Sequence, residues 1–141
     1  MDTHHIVCPH CQATNRVQAD RLADGPDCGR CHQPLLDGLP ITLTDANAAK
    51  LLGQTTLPVL VDFWAPWCGP CRQMAPQFEA AARQLKGRVI FAKVDSDQNP
   101  QLAAQFGIRS IPTLVKLQGG RELARQTGAL PAGQIVGLAS A

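Results

Sequence analysis

The sequence contains no run approaching the ~20 consecutive apolar residues that a membrane helix requires, so no transmembrane span is expected. Its first residues, Met1-Asp2-Thr3-His4-His5, lack both the basic region and the apolar run of a secretory signal, which points to the cytosol. Runs of like charge are also missing. With 13 Lys+Arg against 11 Asp+Glu the net charge is +2, and neither a nucleic acid nor an anionic membrane surface is indicated as a partner. No nucleotide-binding motif is present, and no bound organic cofactor is expected. Aromatic residues are few, and all six (Phe63, Trp64, Trp67, Phe78, Phe91 and Phe106) fall in the middle of the chain. Residues 1–34 offer only Ile6, Val7, Val17 and Leu22 as large aliphatics, and a segment below ~40 residues rarely closes a core without a metal, a disulfide or a partner.

What is present is a chain of 141 residues, 45% hydrophobic and 17% charged, enough for about one ordinary folded domain with a small appendage. The polar, turn-rich start gives way around Leu35-Leu36-Asp37-Gly38-Leu39-Pro40 to alternating strand and helix patterns. This divides the chain into residues 1–34, a linker over 35–39 and a main domain over 40–141. Ile41–Leu43 is a short strand, followed by a helix capped by Thr44 or Asp45 and stopped at Gly53. Leu57 to Ala65 is nearly continuously apolar, as in a strand covered on both faces. Gly69 to Lys86 has a helical pattern in which Pro76 predicts a kink. Val89 to Val94 is a second buried strand. Asn99 as cap and Pro100 at the first helical position open a short helix closed by Gly107. Thr113–Gln118 and Arg121–Thr127 form a hairpin about Gly119-Gly120, and a last helix spans roughly Ala132 to Leu138. The order predicts an α/β domain with a mixed central sheet between helices.

Six cysteines stand in three pairs of identical spacing: Cys8/Cys11, Cys28/Cys31 and Cys68/Cys71. In a reducing cytosol they point to metal binding or redox catalysis rather than a disulfide scaffold. Sixteen residues separate the first two pairs, the spacing of a four-cysteine zinc site. One tetrahedral Zn²⁺ can contribute on the order of 10–16 kcal/mol, ample for a segment with so little to bury. Cys8-Pro9-His10-Cys11 alone also resembles a redox dithiol, but no buried strand is legible before it and no helix after it. His10 and His32 are expected as solvated neighbours of the four ligands, and His4 and His5 as part of a frayed terminus. Sequence leaves zinc and iron both open.

Cys68-Gly69-Pro70-Cys71 sits where a buried strand turns into a helix. There the free N–H groups and the macrodipole lower a thiol pKa, making Cys68 the nucleophile. Cys71 is one turn on and can close a disulfide with it. Asp62 puts a carboxylate into an otherwise apolar strand, so its pKa should be raised. Lys93 is a second charge in such a strand.

The string Trp64-Ala65-Pro66-Trp67-Cys68-Gly69-Pro70-Cys71, preceded by Val59-Leu60-Val61-Asp62-Phe63, resembles the active site of the thioredoxin family. With the cysteine pairs in front, the chain resembles its zinc-containing bacterial branch. The resemblance implies a thioredoxin fold and protein-disulfide reduction recycled by an NADPH-dependent thioredoxin reductase. It also implies a catalytic set of Cys68, Cys71, Asp62 and Lys93, in which Asp62 takes the proton of Cys71 and Lys93 pairs with Asp62. Substrate contact is implied at Trp67, Gly69, Pro70, Gly128 and a cis-proline segment, Ile111-Pro112. Oxidised proteins are then the substrates, and a monomer is expected. A competing reading is a redox-switched interaction module in which oxidation of Cys8, Cys11, Cys28 and Cys31 releases zinc. A nucleic-acid-binding ribbon is disfavoured, since Arg16, Arg21 and Arg30 are balanced by Asp2, Asp20, Asp24 and Asp27 with no aromatic for stacking.

Overall fold

A computed structural model describes residues 2–141. The chain opens with an antiparallel hairpin, β1 (Thr3–Val7) and β2 (Thr14–Gln18), followed by a short 3-10 helix over Ala19–Asp24. The remainder runs β3 (Ile41–Thr42), α1 (Ala48–Gln54), β4 (Val59–Trp64), α2 (Gly69–Gln84), β5 (Ile90–Asp95), α3 (Pro100–Gln105), β6 (Thr113–Gln118), β7 (Arg121–Thr127) and α4 (Ala132–Ser140). Strands β3 to β7 form one sheet in the order β3-β5-β4-β6-β7. β4 runs parallel to β5 and antiparallel to β6, so the sheet is mixed. Among the described residues no helix is long and apolar enough to cross a membrane.

β4 is central, and its alternation sorts the core into two layers. Val59, Val61 and Phe63 pack with α1, α3 and the N-terminal hairpin, whereas Leu60 faces Met74, Phe78 and Ala81 of α2 and Ile135 of α4. Phe78 meets Phe91 across this second layer with ring centroids 5.0 Å apart. Asp62 falls two residues after Leu60 and therefore on the α2 face. α2 continues as one helix through Pro76.

Residues 1–34 differ from expectation. A strand precedes Cys8, and His4 and His5 belong to it rather than to a frayed end. The reason is docking. Thr56 N–H donates to the His5 carbonyl at 2.9 Å, Val7 N–H to the Thr55 hydroxyl at 3.2 Å, and the His4 Nδ1 atom lies 3.0 Å from the Thr56 hydroxyl. Ile6, Val7 and Val17 are buried in the same core as Leu51, Val59 and Phe63, and Leu35 and Leu36 of the expected linker are buried there too. The appendage and the main domain thus share one core.

Two helix caps are exchanged relative to expectation. Asp45 does not cap α1; its carboxylate accepts the N–H of Leu102 at 2.9 Å and of Gln101 at 3.3 Å, at the start of α3. Asn99 occupies the N-cap position of α3, with Pro100 the first helical residue, but makes no side-chain capping bond there; its side-chain oxygen accepts the Asp45 N–H at 2.9 Å. At α1, Thr44 and Asn47 exchange bonds, each backbone N–H donating to the other's side chain.

Candidate functional site

The C-terminal end of β4 leads through Ala65-Pro66-Trp67 into α2, whose first residue is Gly69. Cys68 is the N-cap, extended in backbone (φ −83°, ψ 113°), and its sulfur accepts the Cys71 N–H at 3.2 Å. One otherwise orphaned donor of the helix start is thereby aimed at the sulfur that would carry negative charge. Pro70 lies in the first turn, where its missing N–H has no partner to lose. Cys68 and Cys71 are joined as a disulfide with their Cα atoms 5.3 Å apart, and both are buried.

The walls of the site come from other elements. The Ile111-Pro112 peptide bond is cis, and the Ile111 carbonyl oxygen lies 3.8 Å from the Cys68 sulfur. Thr113 donates its hydroxyl to the Ser110 carbonyl at 2.7 Å. Gly128, in left-handed backbone at φ 99°, donates its N–H to the Pro112 carbonyl at 2.8 Å, which joins the end of β7 to the cis-proline segment. Trp67 is 69% exposed. Its indole N–H donates to the Asp97 carboxylate at 2.7 Å. Asp97 escaped the sequence reading; the one signal available was its place in the loop following a strand that neighbours β4.

On β4, Asp62 is fully buried, and neither carboxylate oxygen has a hydrogen-bond partner. Burial raises its pKa from 3.8 to about 7, with the Lys93 charge pulling the other way. Lys93 is the register partner of Asp62 on β5. It makes no salt bridge with it; its ammonium group stands 4.7 Å from the centre of the Trp64 ring. The expected pairing is therefore through space, across neighbouring strands.

Away from this site, the Cys8, Cys11, Cys28 and Cys31 sulfurs all lie within 4.8 Å of one another. The Cys8–Cys31 and Cys11–Cys28 separations are both 3.6 Å. Four sulfurs placed tetrahedrally at 2.3 Å from Zn²⁺ would stand about 3.8 Å apart, so the cage fits a zinc ion. N–H donors, that of Cys31 first and then the Asn15 amide, hold the Cys28 thiol down at about 5. At Cys31 the Gln33 N–H works in the same direction, yet burial and the other three thiols push it up to about 12. His10 and His32 are exposed beside the cluster.

Comparison with known proteins agrees with this architecture. The family model described as Thioredoxin matches residues 40–141, and the one described as Thioredoxin 2, N-terminal matches residues 7–33. The chain is 50% identical over 125 residues to Thioredoxin C-3 of Corynebacterium nephridii, covering 89% of this chain and 86% of that one. It is 48% identical over 89 residues to Thioredoxin 1 of a Nostoc species, covering 63% of this chain and 83% of that one. Among solved structures it resembles a mutant thioredoxin from Halobacterium salinarum, with a TM-score of 0.66 and 30% identity over 73% of this chain and 89% of that one.

Proposed function

Since the chain belongs to the thioredoxin family and is a thiol-disulfide oxidoreductase, we propose that it reduces protein disulfides through Cys68 and Cys71. In the reduced form the Cys68 thiolate, stabilised at the N-terminus of α2, attacks one sulfur of a substrate disulfide. The leaving sulfur departs as a thiolate and takes a proton, and a mixed disulfide remains. Cys71 then loses its proton and attacks Cys68, releasing the second substrate thiol and leaving the Cys68–Cys71 disulfide. Two electrons pass from the dithiol to the substrate. Asp62 is the base for Cys71: it lies on the α2 face of β4 with no partner of its own, and a carboxylate near pH 7 is poised to take and return a proton. Lys93 limits how far the Asp62 pKa rises. Trp67, Gly69, Pro70, the Ile111-Pro112 segment and Gly128 form the surface on which the substrate lies. The disulfide at an N-cap facing the Ile111 carbonyl is the observation that carries this reading.

Cys8, Cys11, Cys28 and Cys31 hold one structural zinc ion, which cross-links the N-terminal ribbon. We place the chain in the cytoplasm as a monomer, recycled by an NADPH-dependent thioredoxin reductase, with residues 1–34, 35–39 and 40–141 as ribbon, connection and catalytic domain. The test is insulin reduction. Cys68→Ser should abolish it, and Cys71→Ser should accumulate mixed disulfides with substrate. Turnover retained by Cys68→Ser would refute the mechanism.

A further inference from the structure

The two knuckles of the ribbon repeat each other bond for bond. The N–H groups of His10 and Arg30 each lie 3.4 Å from the sulfur of the preceding cysteine, Cys8 or Cys28. The N–H groups of Gln12 and His32 donate to the Cys8 and Cys28 carbonyls, both at 2.9 Å. Gln12 and His32 both have φ 65°. Finally, the Cys8 and Cys28 N–H groups donate to Ala13 and Gln33, both at 2.8 Å.

One side chain breaks this symmetry. The Asn15 amide oxygen accepts the Gly29 N–H at 2.9 Å, which turns its NH₂ group toward the Ala13 carbonyl at 3.2 Å and the Cys28 sulfur at 3.5 Å. The orientation is forced, because Gly29 N–H can only donate and Ala13 C=O can only accept. Among the described residues no side-chain amide stands in the same relation to Cys8. Asn15, on β2, therefore ties the end of the first knuckle to the start of the second and adds a donor to a single sulfur. The ligands are also unequal in access, since Cys8 and Cys28 are buried whereas Cys11 and Cys31 are half-buried.

We propose that Asn15 is a positioning residue for the zinc site, holding Cys28 as the last sulfur to release the metal and thereby setting how slowly the ion leaves. The proposal rests on the zinc reading above. A donor to a metal-bound thiolate fixes its orientation and shields the lone pair that an incoming electrophile or proton would use. Removing such outer partners costs ~10–100-fold in metal affinity at sites of this kind. Asn15→Asp separates the two halves of the amide: it keeps an oxygen for the Gly29 N–H and loses the donor to sulfur.

The test uses the full-length, zinc-loaded chain with Cys68–Cys71 oxidised. Zinc transfer to a chromophoric chelator is timed, and N-ethylmaleimide labelling of the four cysteines is ordered by peptide mass mapping. In the wild type Cys28 should be labelled last. In Asn15→Asp and Asn15→Ala zinc should leave about 10–100-fold faster, and Cys28 should lose its delay relative to Cys8. A general loosening of the ribbon would speed all four cysteines alike and leave Cys28 last. That result, or release within twofold of wild type, overturns the proposal. Wild-type labelling in which Cys28 is not the last also overturns it, whether or not the variants fold. A wild-type chain that takes up no zinc overturns the zinc reading itself, whereas loaded wild type with unchanged Asn15→Asp overturns the role of Asn15 alone.

Discussion

Asp62→Asn should stabilise the oxidised protein strongly at alkaline pH and hardly at all at acid pH. The carboxyl is fully buried with both oxygens unpartnered, so its ionised form is penalised by lost hydration and nothing in contact with it repays that cost. Its pKa is raised in the folded state from 3.8 to about 7, burial outweighing the opposing Lys93 charge. Below pH 3.8 the group is protonated in both folded and unfolded chains and costs the fold nothing through its charge. Between 3.8 and about 7 only the folded chain keeps the proton, so stability falls with rising pH by about 1.4 kcal/mol per pH unit. Above about 7 the loss is complete and amounts to about 4 kcal/mol. Asn has the same shape and does not titrate. Urea denaturation of oxidised wild type and Asp62→Asn across this range should show the stability difference opening from about 0.5 kcal/mol at pH 4 to about 4 kcal/mol at pH 9. A difference independent of pH, or one larger in acid, would refute the electrostatic account of Asp62.

Lys93→Met removes the charge that opposes burial, so the Asp62 pKa should move above about 7 when its carboxyl carbon is followed by NMR; a downward move would contradict the through-space coupling. Gly87 is at φ 79°, and a Cβ there would meet the Leu22 carbonyl oxygen at 2.8 Å. Gly87→Ala should therefore cost about 2–4 kcal/mol in chemical denaturation, from left-handed strain plus overpacking. Thr55→Val leaves the buried Val7 N–H without its acceptor and should cost about 1–3 kcal/mol. Chelating the metal should lower the melting temperature of the whole chain in a single calorimetric transition, because Ile6, Val7 and Val17 belong to the same core as β4. An unchanged main transition would show that the ribbon is energetically separate.

What the sequence made legible was local. The hairpin over Thr113–Gln118 and Arg121–Thr127 was found to the residue, because its strands and glycine turn are contiguous. The dithiol was found because Cys-Gly-Pro-Cys and the junction that activates it occupy one short stretch. What stayed hidden depends on distant partners. The Asp45–Asn99 exchange joins residues 54 apart, and either residue alone reads as an ordinary cap. The docking of β1 was invisible because its strand is half polar, and its register is held by Thr55 and Thr56, far along the chain. Composition suggested that residues 1–34 could not close a core unaided; Ile6, Val7 and Val17 are buried by sharing that of the main domain.

The three Cys-x-x-C pairs show most sharply where sequence spacing stops. Each begins with the same hydrogen bond, from the N–H four residues on to the first cysteine's carbonyl: Gln12 to Cys8 and His32 to Cys28 at 2.9 Å, and Arg72 to Cys68 at 3.1 Å. All three are therefore one helical turn. They part at that fourth residue. Gln12 and His32 take left-handed backbone, the chain folds back on itself, and no helix is built whose dipole could favour a single sulfur as nucleophile. Arg72 stays right-handed inside α2, and the helix that continues supplies the field at Cys68. None of the three deciding residues is a glycine, so side-chain identity at that position does not announce the choice. The reversal at two pairs brings four sulfurs within 4.8 Å of one another, and the continuation at the third leaves two sulfurs joined to each other beside the Ile111 carbonyl. Metal ligation and disulfide exchange thus diverge at a single backbone torsion, that of the residue just after the second cysteine.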